Sequence, residues 1–544
     1  MEYKWVIDHP HDEEVVDNLS KELGIPDLLS RVLLNRGIDC FEDARNFFRP
    51  DLEKLHDPFL MKDMDVAVER LSRALREGEK ILVFGDYDVD GVSSCALLYL
   101  VLSRLVGPKV CYYIPDRISE GYGLSRTGID HAVEQGVSLI LTVDCGVTAV
   151  EEIHYARQKG IDVIVTDHHE PGEEFPEAVA ILDPKRPDCA YPFNELAGVG
   201  VGYKFMQGLF RHLDLSESDL DQYLDIVAIG SCADIVPLID ENRILVRHGL
   251  DHINYDPRYG IKALLESTGL DRKEISVGLI VFVIAPRINA VGRMGDARRA
   301  VQLLTAESLQ KARTLAMELE KENQIRRNVD EATLKEALEI VENRLDPVND
   351  YSFVVYKEDW HPGVIGIIAS RILERYYRPT IMISVVDGIG KGSARSISNF
   401  NIYEAIKECG DLLMAFGGHK YAAGLTIAEE KIPPFVEKFN AIAKRDIKPE
   451  DLIPRMTIDC EAELSNFDKR FMRLLKLIGP FGPMNMRPVF ISKNVRIVGE
   501  PAIVGNNHLK MQLEQNGVKL NAIGFNLGDT KGDIVKNREC LDCA

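Results

Sequence analysis

No stretch of this 544-residue chain approaches the length and apolarity of a membrane span. The longest apolar run, residues 277–286 (VGLIVFVIAP), has the length of a buried strand and is expected to form one. The N-terminus, MEYKWVIDHPHDEE, has neither the basic start nor the apolar stretch of a secretory signal, so a cytoplasmic protein with no membrane association is expected. Positive charge is in deficit: 65 Lys and Arg stand against 86 Asp and Glu, a formal net charge of -21. That balance argues against a chain that coats nucleic acid indiscriminately, while leaving room for a locally basic channel. Internal repeats and low-complexity tracts are absent. The ten cysteines suit reduced thiols better than a disulfide framework, and Cys540-Leu-Asp-Cys543 is a single C-x-x-C without the partner pair that a zinc site needs.

One absence is local and decides more. Asp86, Asp88, Asp90 and Gly91 match positions 1, 3, 5 and 6 of a calcium-binding EF-hand loop, but position 12 is Leu97, so the bidentate carboxylate is missing. The apolar run 81–85 that precedes the loop reads as a strand, where an EF-hand has a helix. Three carboxylates in five residues still repel unless a divalent cation or protonation neutralises them. A second strand-like run, 162–166, ends in Asp167-His168-His169, and a third ends at Asp144 with Gly146 close behind for a tight turn. Asp234 follows a helical stretch in Ser231-Cys-Ala-Asp-Ile. Carboxylates and imidazoles at four such ends suit two closely spaced Mn²⁺ or Mg²⁺ ions, a pair that favours displacement at phosphorus.

The length calls for about three or four domains. Strand candidates 81–85, 109–114, 138–143, 162–166 and 178–182 alternate with helical patterns, which predicts an α/β fold with a doubly wound parallel sheet. Residues 300–345 hold neither Gly nor Pro and read as one or two long helices connecting two globular halves. A second, smaller α/β domain follows, with strands at 352–356 and 380–386, and beyond Pro449 short strands and turn residues suggest a small β-barrel or sandwich. The expected segments are an N-terminal helical region 1–78, a catalytic domain 79–299, the helical connector 300–347, a substrate-binding domain 348–448 and a barrel domain 449–544.

Phosphate handling has candidates of its own. Arg395, in Gly392-Ser393-Ala394-Arg395, joins a guanidinium fork to backbone amides left accessible by glycine, and Gly417-Gly418-His419 offers a similarly open backbone.

The set Asp88-x-Asp90-Gly91, Asp144 and Asp167-His168-His169 resembles the motifs of the DHH phosphoesterase superfamily, and GGHKYAAG (417–424) resembles its DHH-associated domain. The likeness is greatest to the superfamily's single-strand-specific 5′-to-3′ DNA exonucleases. It extends to Glu120-Gly-Tyr-Gly123, Leu196-Ala-Gly-Val-Gly200, Pro286-Arg-Ile-Asn-Ala290, Gly292-Arg293, His361-Pro-Gly-Val-Ile-Gly366 and Pro480-Phe-Gly482. The resemblance implies a two-ion centre with Asp88 on one ion, Asp90, His168 and Asp234 on the other, and Asp144 bridging. Asp86 and His169 would lie against the ions as catalytic groups, His169 facing the scissile phosphate. Arg117, Arg293, Ser393 and Arg395, with Gly418 and His419, would bind the 5′-phosphate and strand, and Tyr122 and Phe416 are stacking candidates that also suit core packing. It further implies an OB-fold as the last domain, single-stranded DNA as substrate, 5′-mononucleotides as product, a role in repair and recombination, and a helicase and single-strand-binding protein as partners. Two departures stand out. Phe84 occupies a place where smaller DHH phosphatases carry a metal-binding histidine, and the tail NRECLDCA departs from the family's usual ending, as a truncation or frameshift would. The competing expectations are a DHH phosphatase for small phosphate esters or oligonucleotides and a non-catalytic DHH scaffold.

Overall fold

The computed structural model describes residues 3–8, 11–117, 119–346 and 349–544, leaving aside the side chain of Arg344. These pack as two units, one chiefly of Asp57–Asp234 and His248–Pro454, the other of Trp5–His56, Ile235–Arg247 and Arg455–Ala544.

Strand β1 (Lys4–Ile7) belongs to a two-stranded ribbon with β12 (Arg455–Ile458). The sequence reading of residues 1–78 as helix and loop misses it, because the partner lies some 450 positions away. In the first unit, β2 (Ile81–Gly85), β3 (Val110–Tyr113), β4 (Leu139–Val143), β5 (Asp162–Thr166) and β6 (Ala180–Leu182) form a parallel sheet in the order β3-β2-β4-β5-β6. β2 and β4 are buried along their whole length, which explains their uninterrupted apolar runs. This order reverses direction between β2 and β4, and open α/β sheets gather their ligands at the carboxyl ends beside such a switch point.

The register does more. Gly85 pairs with Val143, Val143 with Thr166, and Thr166 with Leu182, so the next residues on four adjacent strands are Asp86, Asp144, Asp167 and Asp183. The sheet alone sets four aspartates in a row.

A 36-residue helix, Leu309–Arg344, capped by Ser308, follows the short helix Arg298–Leu304 and leads to a second sheet. There β7 (Phe353–Glu358), β8 (Thr380–Val386), β9 (Ile389–Arg395), β10 (Ala415–His419) and β11 (Ala422–Ala428) run in the order β10-β11-β9-β8-β7, parallel only between β7 and β8. One face buries Ile381, Ala394, Leu425 and Phe439 in a core of its own. The other packs Phe353, Val355 and Met382 against the helix Ile365–Tyr376 and the end of the long helix.

The second unit closes β13 (Cys460–Glu461), β14 (Phe490–Val504), β15 (His508–Gln515) and β16 (Val518–Gly524) into a sheet, with β17 (Leu541–Cys543) on the other side of β14. Register shifts within the 15-residue β14 bend it, as barrel closure requires.

Residues 277–286 are helical and not a strand: Val277–Leu279 leads through a π-helical turn, Ile280–Ile284, into the helix Ala285–Met294. A run of ten apolar residues does not distinguish a buried strand from a helix, and Pro286, in the first turn of that last helix, is where a helix tolerates proline. Two stretches, Val89–Lys109 and Val277–Met294, do reach the length and apolarity of a membrane span, contrary to the sequence expectation. The first is mostly buried against the sheet and the helices Gly198–His212 and Leu224–Ala233.

Candidate metal centre and phosphate pocket

Asp88 caps the helix Val89–Val106, taking the Gly91 amide at 3.0 Å, and so is fixed at its start. Asp90, in the first turn of that helix, takes the Gly198 and Val199 amides at 2.7 and 3.0 Å on its two oxygens, at the N-terminus of the helix Gly198–His212. The glycines make room for this approach. A Cβ on Gly198 would stand 2.8 Å from the Asp144 Cβ, one on Gly230 2.8 Å from an Asp90 oxygen, and one on Gly91 2.6 Å from the Asp86 carbonyl.

Asp144 adopts φ of 59°, a left-handed conformation that aspartate tolerates better than most residues, and this turns its carboxylate inward. Its Oδ1 lies 3.1 Å from His168 Nε2, which also stands 3.6 Å from Asp234 and 3.9 Å from Asp90. Yet this Oδ1 is buried without a hydrogen-bond partner, as is Asp86 Oδ2. These atoms converge on shared points in space rather than on one another. Two overlapping groups of potential ligands result, Asp90 with His168 and Asp234, and Asp144 with His168 and His169.

The electrostatics say the same. Burial and the surrounding carboxylates hold Asp144 and Asp234 well above the ordinary carboxylate range, and burial with Asp88 does so for Asp86. Asp90 is pushed up to about 7, again by burial and Asp88. Burial and His169 pull His168 down to about 3, leaving a neutral imidazole, the form that binds metals. Hard oxygen donors with one imidazole are the set that Mn²⁺ and Mg²⁺ prefer, so the residues present fit the ions that the sequence implied.

Asp167 has another job. Its Oδ1 accepts from the His168 and His169 amides at 2.8 and 3.2 Å and meets His169 Nδ1 at 2.7 Å, while Oδ2 takes the Val147 amide at 2.9 Å. Despite burial, the bond and charge of His169 hold Asp167 below the ordinary range. In return Asp167 lifts His169 to about 9 against its own burial, so that imidazole is a cation at neutral pH. Phe84, the departure noted in sequence, is fully buried and stacked on Tyr113 at 5.3 Å, so β2 delivers packing there and no ligand.

In the same unit, basic groups gather between the two sheets. Arg293 donates to the Gly363 carbonyl at 2.8 Å; Arg395 donates to Ser393 Oγ at 3.2 Å and to the Ala394 carbonyl at 2.8 Å. A Cβ on Gly366 would stand 2.9 Å from Ser393 Oγ and 3.1 Å from Arg395 Nη2, so the first turn of the helix Ile365–Tyr376 abuts both. Burial, with Arg117, Arg326 and Arg395 nearby, pulls Arg293 down to about 10, and burial with Arg117 lowers Arg395 and His361. Arg117 lies with its guanidinium carbon 5.0 Å from the Tyr87 ring, next to the aspartate run.

Gly418 and His419 sit farther out, on the edge strand β10. His419 pairs with Ala422, which pairs with Arg395, so it shares a face with Arg395 two strands away and is exposed; Gly418 pairs with Ala423 on the opposite side. Phe416 is half-exposed against Tyr403. Tyr122 is more than the stacking candidate of the sequence: its ring is 52% exposed while its hydroxyl donates to the Asp144 carbonyl at 2.8 Å and lies 3.2 Å from the His169 ring nitrogens. The sequence offered no role for Asp167 as a clamp, for Gly198, Gly230 and Gly366 as space, or for His361. Their motifs were visible, but their contacts come from segments distant in sequence.

The model of the DHH family N-terminal domain matches residues 80–231, that of the DHHA1 domain 349–445 and that of the RecJ OB domain 458–544. The single-stranded-DNA-specific exonuclease RecJ of Bacillus subtilis is 40% identical over 535 residues, covering 98% of this chain and 67% of the relative. That of Escherichia coli is 36% identical over 534 residues, covering 94% and 91%. The crystal structure of Thermus thermophilus RecJ with Mn²⁺ superposes with a TM-score of 0.82 at 30% identity, over 96% of this chain and 74% of that one.

Proposed function

The chain belongs to the RecJ family of DHH proteins, and on that premise we infer that it is a metal-dependent exonuclease that degrades single-stranded DNA from the 5′ end to mononucleotides, in repair and recombination. One observation carries the reading most: a cluster of buried carboxylates with orphaned oxygens and a neutral imidazole shares one unit with a pocket of closely set arginines. Two ions bound at the first would lower the pKa of a water and neutralise charge building on the phosphate.

In this reading Asp88 would hold one ion, Asp90, His168 and Asp234 the other, and Asp144 would be shared between them, with Asp86 close by. His169, kept cationic by Asp167, faces the scissile phosphate and donates to its oxygen as negative charge grows there. Arg293, Arg395 and Ser393, with Arg117, hold the terminal 5′-phosphate, and Gly418 and His419 line the strand's path beyond. Anchoring the end fixes which phosphodiester meets the ions. Water attacks that phosphorus, the bond to the 3′-oxygen of the terminal nucleotide breaks, and the shortened strand keeps a new 5′-phosphate that can be bound in turn. A substrate that must be single-stranded makes a helicase and a single-strand-binding protein the natural partners, and a cytoplasmic enzyme fits a substrate of that kind.

The test is release of mononucleotides from a 5′-phosphorylated single strand with Mn²⁺ or Mg²⁺, and none with chelator. Equal turnover of dinucleotides and long strands would point instead to a small-substrate phosphatase, and no turnover to a scaffold.

A further inference from the structure

The loop from Ile114 to Ser125 joins β3 to the helix Arg126–Glu134 and is organised around one carboxylate. The Tyr113 hydroxyl donates to the two oxygens of Glu120 at 3.0 and 3.1 Å, the Asp116 amide to Oε1 at 2.8 Å and the Ser125 hydroxyl to Oε2 at 2.5 Å. Glu120 thereby ties the end of the strand, the middle of the loop and the cap of the next helix to a single point. Ser125 in turn caps that helix at the Gly128 amide, 3.0 Å away. Further bonds tighten the turn: the Glu120 amide reaches the Asp116 carbonyl at 2.9 Å, and the Ser119 amide and hydroxyl both reach Asp116 Oδ1 at 2.8 Å.

What the loop presents lies on both sides of the chemistry. Arg117, next to Asp116, reaches over Tyr87 and acts electrostatically on Arg293, Arg395 and His361 of the arginine pocket. Tyr122, two residues past Glu120, bonds the backbone of Asp144, and the Gly123 amide points at Asp86 Oδ1 from 3.4 Å. Gly121 and Gly123 take φ of 88° and 81°, a path that glycine adopts without strain. One hub thus holds the groups that meet the metal centre and the guanidinium that acts on the pocket.

We propose that Glu120 is a positioning residue that holds Arg117 toward the 5′-phosphate and Tyr122 against the metal centre, and through them sets the preference for phosphorylated ends. The proposal rests on the exonuclease reading above. Ordinary loop anchoring would make Glu120 matter for stability alone; a positioning residue makes it matter for which 5′ ends are cut.

The test compares the full chain with its Glu120→Gln and Tyr113→Phe variants, in Mn²⁺, on 5′-phosphorylated and 5′-hydroxyl single strands, with kcat/KM measured on each. Glu120→Gln loses kcat/KM on phosphorylated strands by about a hundredfold, the scale of an ångström-sized misplacement. It also narrows the preference for phosphorylated over hydroxyl ends. Tyr113→Phe, which removes one of the donors, moves the same way by less. An unchanged phosphate preference in both variants would overturn the assignment, as would a loss equal on both strands accompanied by a lower unfolding temperature. A wild-type chain silent on single strands would instead sink the exonuclease reading, and this proposal with it.

Discussion

The metal centre and the arginine pocket present the same physical problem with opposite sign. In the first, Asp86, Asp90, Asp144 and Asp234 are crowded until several are pushed toward protonation; in the second, burial and neighbouring guanidiniums, Arg117 among them, lower the affinity of Arg293 and Arg395 for their protons. Neither arrangement is what a fold optimised for stability alone would choose, since each buries like charges. Their supports differ, however. The carboxylates are set by backbone: four parallel strand ends in register, two helix N-termini and a left-handed Asp144. The guanidiniums reach their places on long side chains, bonded to carbonyls and a hydroxyl. A point ion needs sub-ångström coordination, whereas a terminal phosphate is met by flexible donors that adjust to it.

If that contrast is right, neutralising one carboxylate has the largest effect. Asp144→Asn should lower metal-dependent turnover by about a thousandfold or more, the scale expected when an interaction worth several kcal/mol to the transition state is lost. Stability should move the other way. A carboxyl held above its ordinary pKa costs the folded state free energy at neutral pH, because the unfolded chain ionises it more readily. The variant should therefore melt higher than wild type in chelator and gain less from added Mn²⁺. Differential scanning fluorimetry with and without the ion reads both, and a variant that melts lower in chelator contradicts like-charge crowding at Asp144.

Arg395→Ala probes the opposite sign with a smaller effect. Losing one charge-assisted bond to a terminal phosphate costs roughly 1.5–3 kcal/mol, or about ten- to a hundredfold in KM for 5′-phosphorylated strands. The 5′-hydroxyl strands and the Mn²⁺-induced rise in melting temperature should be unaffected. A shift in metal-induced stabilisation would mean that the two centres are not separately supported.

Much of the first centre was legible in the sequence, and less of the second. Parallel-strand ends announce themselves, because a strand buried on both faces is an unbroken apolar run and the residue after it is fixed by the sheet. That logic marked Asp86, Asp144 and Asp167 as strand-end carboxylates, though not the hold of Asp167 on His169. It failed at residues 277–286, where an apolar run of the same kind is a helix with a π-turn. It also passed over Asp183, the fourth of the row, which follows a strand of only three residues; burial pushes its carboxyl up to about 7. Arg395 was marked by its own glycine-flanked setting, but Arg117 and Arg293 were placed by resemblance alone. No periodicity brings Arg293 to Gly363, 70 positions away, or sets Arg395 beside the first turn of the helix Ile365–Tyr376. His419 was grouped with Arg395 from motif chemistry, and only strand pairing reveals that Ala422 stands between them.

The smallest effect offers the sharpest measure of the difference in support. Gly198 and Gly366 are space-makers of the same kind, one on each side. An added Cβ at Gly198 would press on the Asp144 Cβ at 2.8 Å, an atom fixed by backbone, whereas at Gly366 it would press on Ser393 Oγ at 2.9 Å and Arg395 Nη2 at 3.1 Å, which can rotate away. Gly366→Ala is not strained in φ, and alanine favours a helix over glycine by up to about 1 kcal/mol. The variant should thus keep or slightly gain thermal stability while its KM for 5′-phosphorylated strands rises only severalfold, well below the loss from Arg395→Ala. Steady-state kinetics on phosphorylated and hydroxyl-ended strands separates the outcomes. A loss as large as that of Arg395→Ala would show that the guanidinium is held as rigidly as the carboxylates, and the contrast between a backbone-built metal centre and a side-chain-built phosphate pocket would fall.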